Sequence, residues 1–436
     1  MAKRKLAVLI FATLLSVSLV VYVVFNIVFS PYWDSVYTSG LYMSLASYRD
    51  AATDTETFTK KEACADIDYL LKRLKRVHPA FIDGLSDNVT ECAEREKEAF
   101  GDEVTAYDIW RACARVLHET GDANSMCTAS FPMNYLTAHY EMLGNGCEVA
   151  AINGVPVEQI FKDNSELVSY ESEPWGVNVV KGLVGTREGL KFLGIYGDTL
   201  EYTYAYQDGS TAVRTYKYDD FYNSQAADDT QETVYSCDII KDEDLAVMKL
   251  DECVYDDGFR QFVYDFFKEV TDNKIENIVI DLRDNSGGTS AILDEILIYL
   301  DHDEFTAPGG DYRMGPYMMH WDSEKISVTH MDDVTIFTGN VYLLTSSDTF
   351  SAATLMAGIM RDNEFCTIAG EECGNLPQSY GEVAAFQTPN AAITFQVSTK
   401  LFKRVDQNKA GDPLEPDIKC GKREALLAVT DIIRNK

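Results

Sequence analysis

The sequence predicts an α/β protein of several regions, with one apolar helix at its amino terminus. The first observation behind this is an uncharged apolar run of 24 residues, Leu6–Phe29. The second is an alternation of strand-like and helix-like segments over residues 237–436, which is typical of a layered domain with buried, largely parallel strands. The third is a composition of 46% hydrophobic and 11% aromatic residues, which is enough to build sizeable cores in 436 residues.

The amino-terminal run predicts a membrane anchor, because about 20 apolar residues in a helix span a bilayer. Lys3, Arg4 and Lys5 precede the run, and the positive-inside rule keeps such a tip in the cytoplasm. A cleaved signal peptide is the alternative, but no small-residue cleavage pattern follows the run. We expect residues 1–30 to be a cytoplasmic tip and single-pass anchor in the cell membrane, with the bulk of the chain extracytoplasmic.

The charge and the metal-binding residue types exclude several function classes. With 38 Lys+Arg against 70 Asp+Glu, the formal net charge is −32, so the chain repels nucleic-acid phosphates. The ten cysteines include no C-x-x-C pair, and the six histidines show no metal-type spacing. We therefore expect no nucleic-acid partner, no metal and no cofactor.

Two regions are predicted between the anchor and residue 134, a polar segment and a helical subdomain. Residues 31–59 are polar and rich in Tyr, Ser and Thr, which favours a stalk. Apolar residues at helical spacing then predict helices over Lys60–Val77 and Ala106–His118. These helices define an amino-terminal helical subdomain, residues 60–133.

A β-rich middle domain is predicted over residues 134–236. A strand runs from Glu148 to a turn at Asn153-Gly154. An Asp-Gly turn between two alternating segments then predicts a β-hairpin over Leu200–Tyr218.

The last region, residues 237–436, is predicted to be an α/β core. Its strands and helices alternate in short segments bounded by polar turns. The predicted strands are Leu245–Leu250, Asn277–Leu282 and Val341–Thr345, and the predicted helices are Gly258–Thr271, Ala291–Leu300 and Ser351–Arg361.

Two strand-to-helix junctions in this core carry residues suited to chemistry. After the strand at Asn277–Leu282 comes a turn with Gly287-Gly288, and paired glycines let backbone N–H groups face a ligand. After the strand at Val341–Thr345, Ser351 falls in the first turn of a helix, where unpaired N–H groups favour developing negative charge. Each junction has a purely structural alternative, a tight turn in the first case and a helix N-cap in the second.

Taken together, several motifs resemble the tail-specific, or C-terminal-processing, serine peptidases. The order of the motifs matches that family along nearly all of the extracytoplasmic chain. The matching stretches are Asp66–Leu70 with His78-Pro79, Val149–Val157 ("INGxP"), Ile280–Gly288 ("IDLRxNxGG"), Thr349–Ala353 around the serine, Gly370–Gly374, and Gly411–Ile418 ("GxPLxPDI").

The resemblance implies a ClpP/crotonase-like spiral core and a PDZ-like middle region. It also implies peptide-bond hydrolysis through an acyl-enzyme on Ser351. The oxyanion would be held by the backbone N–H groups of Ala352 and Gly288. The implied partners are a peptide or unfolded-protein substrate and, through the amino-terminal helix, the membrane.

The general base is where this sequence departs from the family. One branch uses a lysine about two dozen residues after the serine, but no lysine lies between Ser351 and Lys400. The other branch carries a histidine in a "GDAHT" motif, and here Asn124 occupies that position. Because an asparagine cannot accept the serine proton, we expect impaired hydrolysis.

Other side chains remain as substitutes for the missing base. His118 and His139 are the nearest histidines in sequence to Asn124, and His302, His320 and His330 are further alternatives. Two acidic residues near the carboxy-terminal motifs, Glu382 and Asp412, are alternatives for orienting a base.

Three function classes follow from the sequence. The leading one is a membrane-anchored extracytoplasmic serine peptidase. The second is a non-catalytic module that retains the peptidase fold and binds peptides or proteins. An acyl-CoA enzyme of the related crotonase fold is the third, and it lacks a basic patch for nucleotide phosphates.

Overall fold

The computed structural model describes residues 2–39, 43–49, 53, 55–206, 208–222, 234–330 and 335–435. Within these residues the helices are α1 Ala2–Phe29, α2 Lys60–Val77, α3 Asp87–Ala99, α4 Ala106–His118, α5 Thr137–Gly144, α6 Val157–Asp163, α7 Glu173–Leu183, α8 Arg187–Phe192, α9 Asp257–Asp272, α10 Ile292–Leu297, α11 Ala352–Asp362 and α12 Ala425–Arg434.

The described strands form several sheets and are numbered in chain order. They are β1 Tyr37–Thr38, β2 Thr57–Thr59, β3 Glu103–Thr105, β4 Cys127–Thr128, β5 Glu148–Ile152, β6 Val155–Pro156, β7 Thr199–Ala205, β8 Thr211–Lys217, β9 Tyr235–Ile240, β10 Leu245–Leu250, β11 Asn277–Asp281, β12 Glu304–Ala307, β13 Gly310–Met314, β14 Tyr317–Trp321, β15 Glu324–Ser327, β16 Asn340–Thr345, β17 Thr367–Gly370, β18 Ser379–Gln387, β19 Thr394–Phe402 and β20 Ile418–Lys419.

The amino-terminal helix α1 is long and apolar enough to cross a membrane. Its candidate span, Thr13–Tyr32, has a mean hydropathy of 2.2 and is mostly exposed to solvent. A signal sequence near an amino terminus has the same properties, so this helix by itself fits an anchor or a leader.

The predicted bounds of α2 and α4 are confirmed, and each helix begins at a capping box. The Thr59 hydroxyl accepts the backbone N–H of Glu62, whose carboxylate accepts the Thr59 N–H in return. Thr105 and Asp108 do the same at the start of α4. Such reciprocal bonds satisfy orphan N–H groups and fix where a helix starts.

The segment expected to form a stalk packs against the folded body in its first residues. Tyr32 and Ser35 are fully buried, and the Tyr32 hydroxyl donates to the carbonyl of Arg313 at 2.8 Å. Strand β1 follows and pairs antiparallel with β18. The polar composition of this segment misled the sequence interpretation, because its packing depends on a few isolated residues such as Tyr32 and Ser35, which leave no apolar pattern.

The middle region is mixed rather than β-rich. The predicted hairpin is confirmed as β7 and β8, which join β5 and β6 in a four-stranded sheet. Four helices, α5 to α8, lie in the same region. Helices of 6 to 11 residues show too few turns for a clear apolar period, and only α7 and α8 begin at an N-cap side chain, Ser172 and Thr186.

The predicted α/β layering of the core is confirmed. Strands β20-β17-β16-β11-β10 run parallel in that order, and β9 closes one edge antiparallel. One face packs on α9, α10 and α11 and the other on α12, so both faces are covered. Because β11 and β16 are adjacent and in register, the polar turns after them meet at one edge of the sheet.

A second sheet borders that edge. Its strand order is β1-β18-β19-β13-β14, with β4 also paired to β19. The long hairpin of β18 and β19 forms its centre, and β1 and β14 are its edges. This sheet and the turns after β11 and β16 enclose the cavity described next.

Candidate active site

Ser351 sits at the sharp turn between β16 and α11. Its backbone φ is +53°, a left-handed conformation that costs a non-glycine residue about 1–3 kcal/mol. Its N–H donates to the Asn375 side-chain oxygen at 2.8 Å, and its carbonyl accepts from Leu355 at 2.9 Å. Such a strained strand-to-helix turn resembles the nucleophile elbow of α/β hydrolases, where it exposes a serine hydroxyl.

The hydroxyl of Ser351 does not act as a helix cap. It makes no side-chain bond to the start of α11, and no other described residue is its hydrogen-bond partner. The structural alternative for this serine, an ordinary N-cap, is therefore wrong.

The Gly287-Gly288 turn lies directly against Ser351. A Cβ added to Gly287 would come within 2.8 Å of the Ser351 Cβ and 3.2 Å of the Ala352 nitrogen. The two glycines have φ values of +109° and +132°. Only glycine adopts these conformations at low cost, and only glycine fits this close to Ser351.

The contacts of Cys253 orient this turn. Its N–H donates to the Gly287 carbonyl and its carbonyl accepts from Thr289, each at 2.8 Å. In a bridge of this kind the intervening N–H, that of Gly288, points to the opposite side. Neither this N–H nor that of Ala352 finds an acceptor in the part of the chain that is described.

One cavity of about 760 Å³ contains the predicted site residues Ser351, Gly288, Ala352 and Asn124. Its walls come from the glycine turn, the start of α11, strand β18 and the segment around β1. The structure therefore brings together residues that lie up to 228 positions apart in sequence.

Asn124 is fixed in the wall of this cavity. Its side-chain nitrogen donates to the Tyr380 carbonyl at 2.9 Å, and its backbone carbonyl accepts from Gln396 at 2.8 Å. Its own N–H donates to an Asp122 oxygen at 2.9 Å. An amide in this position orients neighbours but accepts no proton at neutral pH.

Directly behind Asn124 lies a buried His78–Asp122 pair that the sequence interpretation missed. The Nε2 of His78 is 3.2 Å from Asp122 Oδ2, and its Nδ1 accepts the N–H of Ala80 at 3.2 Å. Because both ring nitrogens are engaged and the ring is fully buried, His78 does not reach the cavity. The only sequence signal was the His78-Pro79 motif, which carried no assigned role.

Hydrogen bonds determine the charge of Asp122. Burial disfavours the carboxylate, but hydrogen bonds from His78 and Ser125 outweigh it and lower the pKa of Asp122. The carboxylate is thus kept ionised next to Asn124.

The histidines considered as a substitute for the missing base lie outside this cavity. His118 Nδ1 is 2.9 Å from the Val168 carbonyl, and burial lowers the pKa of His139 to about 4. His302, His320 and His330 contact Phe365, Asp311 and the Ile298 carbonyl, respectively. All six histidines are described, and none of them lines the cavity.

Of the two acidic residues considered for orienting a base, only one lies at the cavity. Glu382 lines the cavity, where Lys400 pairs with it at 3.2 Å. Asp412 is exposed on the surface, away from that wall.

Asn375 is a further residue that sequence reasoning did not single out. It lies 24 residues after Ser351, where the lysine of the Ser–Lys branch is expected, and it is buried. Its oxygen holds the Ser351 N–H, and its nitrogen donates to Ser379 at 3.0 Å. The sequence signal was the spacing alone.

Residues of the middle region contact two loops beside Ser351, the loop that precedes it and the loop around Gly374. Ser172 donates to the Gly374 carbonyl at 2.7 Å, and Trp175 stacks on Phe350 with ring centroids 3.8 Å apart. Glu171 accepts the Leu376 N–H at 2.9 Å. Burial and the nearby Asp122 charge raise the pKa of Glu171 to about 8.

This shift predicts a pH-dependent stability. A carboxyl whose folded pKa lies above its unfolded value of 4.5 stabilises the fold at low pH, and that contribution is lost as pH rises toward 8. We expect Glu171→Gln, which keeps an acceptor for Leu376, to lose less melting temperature than wild type between pH 5 and 8. Glu173→Gln at the exposed start of α7 is the control and should follow wild type. An equal fall in melting temperature between pH 5 and 8 for wild type and Glu171→Gln would contradict the raised pKa of Glu171.

A strained serine between a buried parallel strand and a helix, beside unpaired backbone N–H groups and a strand-lined cavity, is an arrangement typical of serine hydrolases. Comparison with known proteins agrees. Residues 244–420 match the model of peptidase family S41, and this segment contains Gly288, Ser351 and Ala352 but not Asn124. It is therefore a peptidase family S41 domain, and the resemblance to the tail-specific peptidases is confirmed.

Two solved structures of CPAF share the fold at low sequence identity. Mature CPAF complexed with lactacystin is 12% identical, has a TM-score of 0.61 and covers 86% of this chain and 99% of its own. Mature CPAF alone gives 12% and 0.60, covering 86% and 98%. The photosystem II D1 C-terminal processing protease gives 12% and 0.47, covering 85% and 97%. No curated protein matches the sequence significantly.

Proposed function

We propose that this chain is a membrane-anchored extracytoplasmic serine peptidase whose hydrolysis is impaired. The observation that carries the proposal is Ser351 itself, strained, uncapped and open to the cavity beside the glycine turn. Strain of this kind persists only where the surrounding structure enforces it, and it clusters at functional sites.

The proposed chemistry is acyl transfer. The Ser351 oxygen attacks the scissile carbonyl, the C–N bond breaks, and the amine leaves with the proton that the hydroxyl has lost. Water then hydrolyses the ester and restores the hydroxyl. The N–H groups of Gly288 and Ala352 stabilise the oxyanion, an arrangement for which one donor is worth about 10²–10³ in rate.

The impairment follows from the cavity wall. The Ser351 proton needs an acceptor, and the described lining offers neither a histidine nor a lysine. Glu252 and Glu382 are its carboxylates, and Glu382 is paired with Lys400. Asn124 occupies the position expected for the base.

Finer features of the fold belong to the same proposal. The alternation of β10, β11 and β16 with α9, α10 and α11 supports a ClpP/crotonase-like spiral. The β5–β6 turn at Asn153-Gly154 within a small sheet supports a PDZ-like middle region. Helix α1 serves as the membrane anchor, and a peptide or unfolded protein is the substrate.

The test is labelling with a fluorophosphonate probe, which reacts with an activated serine. We expect wild type and Ser290→Ala to be labelled slowly, at the rate that the oxyanion N–H groups support without a base, and Ser351→Ala to stay unlabelled. Ser290 lines the same cavity and is the matched control. Labelling that persists in Ser351→Ala would overturn the assignment of the nucleophile.

A second candidate function is favoured by the engaged amide of Asn124. A chain that keeps the cleft without a base would bind an extended peptide and release it intact. In that case wild type would bind peptides, resist the probe and show no turnover. Labelled wild type with slow turnover would favour the impaired enzyme instead.

A further inference from the structure

The carboxy-terminal end of α1 packs directly against the rest of the folded chain. Val28 is 7% exposed, and the backbone carbonyls of Ile27 and Val28 lie so close to Gly315 that a Cβ there would approach them to 2.7 and 3.0 Å. Gly315 forms the turn between β13 and β14. The tip of this hairpin therefore lies beside the end of α1.

Helix α2 reaches the same place from the other side. The Arg73 side chain donates to the Pro31 carbonyl at 3.0 Å and pairs with Asp34. Arg313, two residues before the turn, donates to the Lys75 carbonyl at 3.2 Å. The carboxy-terminal turn of α2 is thus fixed next to the helix exit.

Three basic side chains stand on this end of α2. Lys72, Lys75 and Arg76 have the i, i+3, i+4 spacing that places residues on one helix face. No ion pair or hydrogen bond of their side chains is found among the described residues. A cluster of basic side chains without acidic partners is unusual in a chain whose formal net charge is −32.

The hairpin contributes apolar surface beside this basic face. Pro316 is exposed, Tyr317 is 57% exposed, and Met319 on the same side of β14 is 48% exposed. Tyrosine at the level of lipid headgroups is typical of the membrane interface, since its ring is apolar and its hydroxyl polar.

We propose that this surface, defined by Lys72, Lys75, Arg76, Pro316 and Tyr317, binds the headgroup region of an anionic lipid bilayer. The proposal rests on α1 being the membrane anchor. Its continuity with the end of α1 argues for lipid over a second copy of this chain. Its unpaired positive charge complements anionic headgroups. The bound surface would hold the body in one orientation on the membrane.

The test uses the full chain in nanodiscs of phosphatidylcholine, with or without roughly a third of phosphatidylglycerol, followed by amide hydrogen exchange. Each basic residue near an anionic surface contributes about a fivefold preference. We expect exchange in residues 72–77 and 315–321 to slow by up to on the order of 10²-fold in the anionic discs, and high salt to reverse this.

The variant Lys72→Gln/Lys75→Gln/Arg76→Gln should lose the difference between the two discs. Lys162→Gln/Lys241→Gln/Lys274→Gln removes the same charge from exposed lysines elsewhere and should retain it. Equal exchange in both discs would overturn the proposal, and so would protection that depends on protein concentration, which indicates a second copy. A chain that stays outside the discs would overturn the anchor as well, while leaving the Ser351 labelling result unaffected.

Discussion

Asn124→His is expected to raise the turnover of unfolded peptide substrates by about 10²–10⁴, the contribution of a placed general base. The side chain of residue 124 lines the cavity with Ser351. The Tyr380 carbonyl that now accepts the amide N–H, at 2.9 Å, would accept one imidazole N–H. The other ring nitrogen then remains free to take the serine proton.

The pH profile identifies the cause of the gain. It should fade below about pH 6.5, the pKa of a free imidazole, because a protonated ring accepts no proton. Asn124→Gln is the control, since it changes the size of the side chain without adding a base. Cleavage should be measured between about pH 5 and 9 in wild type and both variants. No gain with the imidazole would favour the peptide-binding module.

His78→Ala is expected to destabilise the protein by about 3–5 kcal/mol, the cost of leaving a buried charge without its partner. The pair with Asp122 is fully buried, and the substitution also removes the acceptor of the Ala80 N–H. The control is His320→Ala, which breaks an exposed pair with Asp311. Surface pairs contribute about 0–1 kcal/mol, so its denaturation midpoint should stay close to wild type.

The same pair predicts the behaviour in acid. Because the folded pKa of Asp122 is lowered, its contribution to stability is present above the unfolded value of 3.8 and is lost as pH falls through the folded pKa. Denaturant unfolding curves of wild type should show this loss below about pH 4. Equal midpoints for His78→Ala and His320→Ala would show that the pair contributes little.

The core of the fold was predictable because its signals are local. Buried apolar runs marked β10, β11 and β16, and apolar residues at helical spacing marked α2 and α4. The short helices α5 to α8 were missed because they are stabilised by packing rather than by a visible period. The packing of Tyr32 was missed because one buried aromatic leaves no pattern in a polar segment.

For the candidate site, the sequence pointed to Ser351, Gly288 and Asn124, which line one cavity, but not to the residues that hold them in place. Motif resemblance detects residues whose types are unusual at a turn. Asn375, Glu171 and the His78–Asp122 pair act through contacts between distant segments, and such contacts have no local signature. The direction in which the Ser351 hydroxyl points was likewise set by backbone strain that no propensity predicts.

The packing of the end of α1 against the folded chain limits how far the cleft can lie from the membrane. Tyr37 lines the cavity and lies only eight residues beyond Phe29, so even a fully extended chain keeps this wall within about 26–29 Å of the end of α1. With α1 as the anchor, an extended tail of about eight or nine residues is therefore long enough for a protein embedded in the same membrane to reach this wall. A neighbour in the same membrane therefore needs only a short tail, so nearness to α1 becomes a criterion of selection that is independent of the tail's sequence.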